Sequence, residues 1–366
     1  NLWVREPAGG GGRSVGSPVP MRPLIADLDE LPYADRELFD FEQMLQANDG
    51  WVDVMVGRGC PYNCSYCCNP ALRARYAGLG RYVRFRSVGH VMGELAALAE
   101  RYAIKTINFQ DDIFTLDRQW TLDFCQAYGA ALDYPFWINT RVERILPGHG
   151  GEEIVAALAQ AGCAGLRIGV ENGHAELRAQ VLKRTMSNQE IIAAFRLAQR
   201  NGLQTYSCNM IGIPGETPES IQATIDLNRE LMPDNFQFSV FFPYPMTELY
   251  DTCVTQSLIK PGAMGVVGTP GTPSEPAPPS SYYTDQSVLR LPTLSEQELA
   301  QGYARFEALR AELSLKRASP AKHRVYQLLL KLYGGDSPRL QRHLERARSA
   351  LRPLRQVLRG RSDGER

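Results

Sequence analysis

Gly59-Cys60-Pro61-Tyr62-Asn63-Cys64-Ser65-Tyr66-Cys67 is the stretch of this sequence that says most about its fold, and its three cysteines have the spacing C-x3-C-x2-C. Three thiolates so spaced on one loop can bind one corner of an iron–sulfur cubane, each to a different iron, leaving the fourth iron open to a ligand. Structural zinc is the alternative, but Cys68 is a poor fourth ligand because adjacent side chains diverge, and no histidine lies nearby. The spacing therefore favours a [4Fe–4S] cluster on Cys60, Cys64 and Cys67.

Outward from this loop, β-rich runs alternate with helical ones. The pattern predicts strands at 51–56, 105–109, 136–139, 165–170, 204–211 and 235–242, and helices at 87–102, 118–132, 152–161, 188–201 and 218–231. Ser187 with Glu190 predicts a capping box at the start of one helix. These βα units predict an α/β fold built on a parallel sheet or a partial barrel, and we expect a partial (β/α)6 TIM-like barrel with a helical C-terminal extension. Chemistry in such barrels gathers at the carboxyl ends of the strands, and the cysteine loop follows the first strand.

Composition narrows the class of protein. Hydrophobic residues make up 44% and charged residues 22% of the 366 positions, which excludes disordered and collagen-like chains. No run approaches the ~20 apolar residues of a membrane-spanning helix. Clustered thiols without a secretion signal favour a reducing, cytoplasmic compartment. The first residue, Asn1 instead of Met, suggests a fragment or a processed product.

Four segments are predicted along the chain. Residues 1–50 form a linker or N-terminal extension, 51–250 the core barrel, 251–292 a Pro/Gly-rich loop, and 293–366 a basic helical extension. From Lys316 to Arg366 there are 14 basic and 4 acidic residues, although the whole chain has no net charge. Such a tail can contact an anionic surface such as a membrane, which would make the protein peripheral there, or it can be a solvated helical appendage.

The cysteine motif resembles the signature of the radical S-adenosylmethionine (SAM) enzymes, C-x3-C-x-aromatic-C, with Tyr66 at the aromatic position. The resemblance implies that Cys60, Cys64 and Cys67 hold the cluster and that SAM chelates its open iron. It further implies reductive cleavage of SAM to a 5′-deoxyadenosyl radical, which abstracts hydrogen from an unactivated C–H bond. Tyr66 would then line the adenine side of SAM, and Cys68 would not ligate the cluster.

A second motif, Phe109-Gln110-Asp111-Asp112-Ile113-Phe114, ends the second predicted barrel strand. It looks like the variant found in family members that carry a cobalamin-binding domain, and it implies that Asp111 or Asp112 accepts hydrogen bonds from the SAM amine. A carboxylate acceptor suits an ammonium group. Two other interpretations remain open: Asp112 as a helix N-cap, or, with Asp117, a prenyl-synthase-like metal motif.

Further candidate site residues lie at the ends of the later predicted strands or within them. Glu171 would touch the ribose or amino-acid portion of SAM, although a Glu before Asn-Gly is also a plain turn signal. Arg141, like Arg167, could pair with a SAM carboxylate or balance Glu171. Gly212-Ile213-Pro214, in a Gly-x-Pro-Gly-Glu turn, resembles the family's turn beside the adenine. Glycine allows close approach of backbone to a flat ligand.

The resemblance is strongest to the cobalamin-dependent branch, although the motif Asp-x-His-x-x-Gly of a cobalamin domain is absent. The implied function is cobalamin-dependent C-methylation or a related rearrangement. It needs an electron donor of flavodoxin or ferredoxin type and an unknown small-molecule, lipid or peptide substrate. The alternatives are a cobalamin-free radical SAM enzyme, for example one that modifies RNA, and a non-catalytic zinc or iron–sulfur protein.

Overall fold

The computed structural model describes residues 21–263 and 286–318, which contain eight strands and ten helices. The strands are β1 (Trp51–Val54), β2 (Gly57–Arg58), β3 (Arg84–Phe85), β4 (Thr106–Phe109), β5 (Phe136–Thr140), β6 (Cys163–Glu171), β7 (Gln204–Ile211) and β8 (Asn235–Val240). The helices are α1 (Phe41–Ala47), α2 (Asn69–Arg75), α3 (Val88–Arg101), α4 (Arg118–Ala131), α5 (Gly151–Gln160), α6 (Ala175–Gln180), α7 (Asn188–Arg200), α8 (Pro218–Leu231), α9 (Glu248–Thr255) and α10 (Glu296–Ala318).

Six of the strands form one curled, all-parallel sheet in the order β1-β4-β5-β6-β7-β8. Each new strand is added to the same edge, and right-handed crossovers then place the connecting helices on one face. That face is convex and the other is concave, as in part of a TIM barrel. The predicted partial (β/α)6 barrel is therefore confirmed. The short strands β2 and β3 pair antiparallel in a separate ribbon.

The core lies between the convex face and the helices. Phe109 of β4 and Phe136 of β5 lie 5.4 and 5.9 Å, ring centre to ring centre, from Phe124 of α4. Because side chains alternate along a strand, the neighbours Asn108 and Trp137 face the concave side. The helix-covered side is thus apolar, and the concave side carries polar and amphipathic groups.

Local signals in the sequence placed the elements well. All six predicted barrel strands and all five predicted helices are present within two residues at most boundaries. The Ser187 side chain and Glu190 form the predicted capping box of α7. The ribbon β2–β3 and the short helices α1, α2, α6 and α9 were not predicted, since segments of two to eight residues carry little periodicity.

The chain divides into two compact units, residues 1–306 and 307–366. Only 307–318 of the second unit are described, so most of the predicted basic tail lies outside the described residues. The same holds for 264–285 within the predicted Pro/Gly-rich loop. Within the described residues, no helix is long and apolar enough to cross a membrane.

Candidate active site

The cysteine loop runs from β2 to α2, at the carboxyl end of β1. Cys60 and Cys64 are 8% and 6% exposed, Cys67 is half-buried and Cys68 is exposed. The loop begins at Gly59 with φ 83°, and a Cβ there would lie 2.8 Å from the carbonyl oxygen of Tyr82. Only glycine suits that conformation and that contact. The three predicted ligands are thereby turned inward while Cys68 points out.

Ser65 anchors the middle of this loop. Its hydroxyl donates to the Val181 carbonyl oxygen at 2.5 Å, and its amide donates to the Leu182 carbonyl oxygen at 3.4 Å. Its own carbonyl accepts from the amide of Leu249 at 2.9 Å. Leu249 lies at the start of α9, so one buried serine ties the cysteine loop to the segments that follow α6 and β8.

Two of the three sulfurs accept hydrogen bonds. Arg141 Nη1 donates to Cys64 Sγ at 3.1 Å, and Asn69 donates to Cys67 Sγ from its amide at 3.5 Å and from Nδ2 at 3.6 Å. Donors aimed at sulfur stabilise a thiolate, and hydrogen bonds to cluster thiolates set the reduction potential. The loop therefore has the donor set that a thiolate-bound cluster requires.

Burial raises the pKa of the Cys60 thiol to about 11, and it also raises that of Cys67. Bound metal replaces the proton of such a thiol, because ligation needs the thiolate. Within the described residues, no three His, Cys, Asp or Glu side chains converge on a position for a single metal ion. Three thiolates on one loop can each bind a different iron of a cubane, and Arg141 and Asn69 already donate to two of the sulfurs. The residues present fit the cluster.

The two aspartates of the second motif have different surroundings. The Asp111 carboxylate is 3% exposed and accepts from the amides of Val56 at 3.1 Å and Gly57 at 2.6 Å. Burial raises its pKa to about 6. Asp111 thus ties the end of β4 to the segment that precedes the cysteine loop. Asp112 is exposed, and its charge adds to burial in raising the pKa of Cys60.

SAM contact by one of the two aspartates stays a prediction, and the geometry favours Asp112, whose carboxylate has no hydrogen-bond partner among residues 21–263 and 286–318. The alternative of Asp112 as a helix N-cap is wrong, since Asp117 caps α4 by accepting from the Trp120 amide at 3.0 Å. That bond also gives Asp117 a structural role.

Arg141 follows β5 and packs over the cysteine loop. Its guanidinium carbon lies 3.7 Å from the ring centre of Tyr62, and Nη2 donates to Glu143 at 2.6 Å. Together with the bond to Cys64, these contacts place Arg141 beside the cluster position. Pairing with a SAM carboxylate stays a prediction.

Glu171 ends β6 in a strained conformation, with φ 68° in a residue that carries a Cβ. The register with β7 shifts between Gly169 and Glu171, which is a β-bulge. Bulges of this kind re-aim a side chain, and strain of this kind clusters at functional sites. The Glu171 carboxylate accepts from Arg184 Nη1 at 2.8 Å. The expectation that Arg141 or Arg167 balances Glu171 is therefore wrong.

Arg184 joins three parts of the site. Its side chain is 3% exposed, and besides Glu171 it donates to the Tyr66 hydroxyl at 3.3 Å and to the Gly169 carbonyl oxygen at 2.9 Å. Burial, followed by the charge of Glu171, raises the pKa of Tyr66 well above its usual value. Tyr66 is therefore a neutral phenol fixed beside Glu171.

The turn Gly212-Ile213-Pro214 follows β7 and is held by Glu216 from its convex side. The Glu216 carboxylate is fully buried and accepts from the amides of Gly212 and Ile213, the second at 3.2 Å, and from Asn172 Nδ2 at 2.7 Å. Gly212 has φ 76°, which glycine adopts without strain. Since Asn172 follows β6, this glutamate links the ends of β6 and β7.

Apart from Arg167, which lies within β6, the predicted residues therefore meet at one edge, the carboxyl ends of β1, β4, β5, β6 and β7. Sequence reasoning missed Arg184, Asn172 and the buried role of Glu216. A capping box at Ser187 and a turn signal at Asn172-Gly173 marked the neighbourhood, but no local pattern pairs Arg184 with Glu171.

Comparison with known proteins agrees with this site. Residues 54–227 match the model of the Radical SAM superfamily. Residues 54–227 therefore carry a Radical SAM domain. An uncharacterised methyltransferase of Pyrococcus horikoshii is 30% identical over 241 residues, which are 66% of this chain and 50% of that protein. An anaerobic magnesium-protoporphyrin IX monomethyl ester cyclase of Rubrivivax gelatinosus is 25% identical over 234 residues, 63% of this chain and 40% of its own.

The chain spans about half the length, or less, of these curated relatives. Among solved structures, the radical SAM methyltransferase TsrM of Kitasatospora setae, with cobalamin and a [4Fe–4S] cluster bound, aligns with a TM-score of 0.49. Its identity is 22%, covering 60% of this chain and 43% of its own. Radical SAM proteins use a [4Fe–4S] cluster and SAM, and the superfamily match favours an enzyme over the alternative of a non-catalytic metal-binding protein.

Proposed function

We propose that Cys60, Cys64 and Cys67 hold a [4Fe–4S] cluster at which SAM is cleaved to methionine and a 5′-deoxyadenosyl radical. One electron from an external reductant breaks the carbon–sulfur bond, and the radical then takes a hydrogen atom from substrate carbon. The observation that carries the proposal is the juxtaposition at one sheet edge of the buried or half-buried cysteine ligands, Arg141 bonded to Cys64, and Glu171 bonded through Arg184 to Tyr66.

In this proposal, the residues at this edge contact different parts of SAM. Asp112 offers a carboxylate for the amine, and Glu171, which is paired with Arg184, would contact the ribose or amino-acid portion. The backbone of Gly212, Ile213 and Pro214 offers a flat surface for the adenine, whose far side Tyr66 would line. Glu171 and Tyr66 are held by Arg184, and the Gly212–Ile213 backbone is held by Glu216, which keeps these groups preorganised without the ligand.

For the outcome of the radical step, we propose cobalamin-dependent methylation at carbon. Similarity to a methyltransferase of Pyrococcus horikoshii supports group transfer. Similarity to a cyclase of Rubrivivax gelatinosus supports ring formation as the second candidate. Residues that would bind cobalamin are not among the motifs of this chain. The reductant we expect is a flavodoxin or ferredoxin, and the substrate a small molecule, lipid or peptide.

The test of the radical step is anaerobic. The chain is reconstituted with iron and sulfide, given dithionite and SAM, and assayed for 5′-deoxyadenosine by mass spectrometry. Cys64→Ala should lose both the cluster and the product. Cys68→Ala is the matched control, because this neighbouring thiol is exposed, and it should keep both. Normal iron content in Cys64→Ala would contradict the ligand assignment.

A second measurement tests cobalamin. The reconstituted chain is incubated with hydroxocobalamin, desalted, and read by the corrin absorbance. Retained cobalamin at one equivalent supports the methylation proposal. Loss of all cobalamin, with 5′-deoxyadenosine still formed, would refute cobalamin use by this chain and leave radical cleavage of SAM in place.

A further inference from the structure

A row of hydrogen-bonded polar side chains lies on the concave face of the partial barrel, below the edge that carries the cysteines. Arg167 of β6 donates from Nη1 to Asn108 Oδ1 at 2.7 Å, and Asn108 Nδ2 donates to Asp53 Oδ1 at 2.6 Å. Gln110 Nε2 also donates to Asp53 Oδ1, at 3.1 Å. Asn108 is thus oriented by Asp53, and its oxygen fixes one end of the Arg167 guanidinium.

Arg167 also lies over an aromatic surface. Its guanidinium carbon is 5.2 Å from the ring centre of Trp137, and Trp137 lies 6.2 Å from Trp51. Both tryptophans and Arg167 are half-buried, and Asp53 is exposed. Since β4 and β5 turn their phenylalanines to the helices, this group of side chains faces the open concave side.

Within residues 21–263 and 286–318, the sole hydrogen-bond partner of Arg167 is Asn108. No carboxylate in that part of the chain forms an ion pair with it, and the nearest, Asp53, is separated from it by the Asn108 amide. The Nε and Nη2 donors are therefore free on the concave side. A half-buried guanidinium with unused donors is suited to a carboxylate or a similar planar anion, which it binds through two parallel hydrogen bonds.

We propose that Arg167 binds a carboxylate of the substrate, with Trp51 and Trp137 contacting the apolar part beside it. This inference rests on the proposed function and narrows the substrate to an organic acid with a flat or apolar portion next to the acid group. Arg167 lies four residues before Glu171 on β6, which is about 13 Å along a strand. An elongated acid anchored at Arg167 thus extends toward the edge where SAM is cleaved.

The test uses benzoate, a small aromatic carboxylate, and benzamide, its uncharged analogue. Both are titrated onto the full chain without SAM, and binding is read by ligand-observed NMR saturation transfer. Benzoate should bind and benzamide should bind at least about tenfold more weakly, since the charge-assisted pair is lost. Arg167→Met should weaken benzoate by a similar factor, and Arg167→Lys should lie between them.

Arg196→Met is the matched control, because Arg196 is an exposed arginine on α7 and should leave benzoate binding unchanged. Circular dichroism of each variant reports folding. The proposal is overturned if the parent chain does not bind benzoate, if benzamide binds equally well, or if folded Arg167→Met binds benzoate like the parent. The assay needs no SAM cleavage, so its failure is separate from failure of the radical step.

Discussion

Replacing Arg184 with methionine tests the buried ion pair at the centre of the site. Arg184→Met keeps the apolar volume of the side chain but removes the cation that faces Glu171, and the side chains of this pair are 3% and 12% exposed. It also leaves the Gly169 carbonyl oxygen and the Tyr66 hydroxyl without their donor. Removing one partner of a buried pair typically costs 3–5 kcal/mol, because the other charge is left uncompensated.

The expected loss for Arg184→Met is at the lower end of that range, about 3 kcal/mol, since the Nε of Arg184 is itself buried without a partner. For a unit of 306 residues, with an unfolding entropy of about 2.1 cal/mol/K per residue, that loss lowers the melting temperature by about 5 °C. The assay is thermal and urea unfolding of the chain, followed by far-ultraviolet circular dichroism.

Two further variants make this result specific to the pair. Arg184→Met combined with Glu171→Gln should recover about 1–2 kcal/mol, since the uncompensated charge is gone. Arg196→Met removes an exposed ion pair, in which Arg196 lies 3.5 Å from Glu230. It should change the free energy of unfolding by less than about 0.5 kcal/mol. If Arg184→Met unfolds like Arg196→Met, or if the double variant shows no recovery, the buried pair does not hold the site.

Glu216→Gln should lower the free energy of unfolding in urea by about 1–3 kcal/mol, because an amide cannot accept from all three donors that the buried carboxylate satisfies. The control Glu230→Gln, at an exposed glutamate, should change that free energy little. Equal losses for both variants would count against the buried contact. Burial alone raises the pKa of Glu94, but the hydrogen bonds from two arginines outweigh it and lower that pKa below 4.5. The Glu94 carboxylate therefore stabilises the fold above about pH 4.5 and loses that effect as the pH falls through its lowered folded-state pKa. The difference in melting temperature between the parent chain and Glu94→Gln should narrow below pH 4.5. A difference that stays constant with pH would refute this linkage. Gly173→Ala should destabilise the barrel strongly, since its Cβ would overlap the backbone of α8, whereas Gly89→Ala on α3 meets nothing closer than 3.9 Å and should be neutral or stabilising in the same melts.

Sequence reasoning located the strands and the cysteine loop because their signals are local. The spacing of Cys60, Cys64 and Cys67 and the alternation of elements are both read within short windows. The same reasoning missed how the site is held. Asp111 reaches backbone amides 54 and 55 positions earlier in the chain, and Asn172 reaches Glu216 across 44 positions.

Those contacts depend on the sheet bringing distant strand ends together, which no window of residues encodes. A single motif therefore gave Asp111 and Asp112 equal standing. The fold distinguishes them. The Asp111 carboxylate accepts from the backbone amides that precede the cysteine loop, whereas no described residue donates to Asp112. The partner of Glu171 was misassigned for the same reason, since Arg184 lies on a loop that follows α6 and outside any strand.

The carboxyl edge of the half-barrel is stiffened by side chains, since the sheet itself does not close. Asp111 joins the segment after β1 to β4, and Asn139 Nδ2 of β5 donates to the Asp111 carbonyl oxygen at 3.0 Å. Asn172 and Glu216 join β6 to β7, and Ser65 joins the cysteine loop to the start of α9, beyond β8. These bonds connect both open ends of the sheet around the proposed SAM position. Loss of any one of them should therefore loosen the site more than it unfolds the barrel.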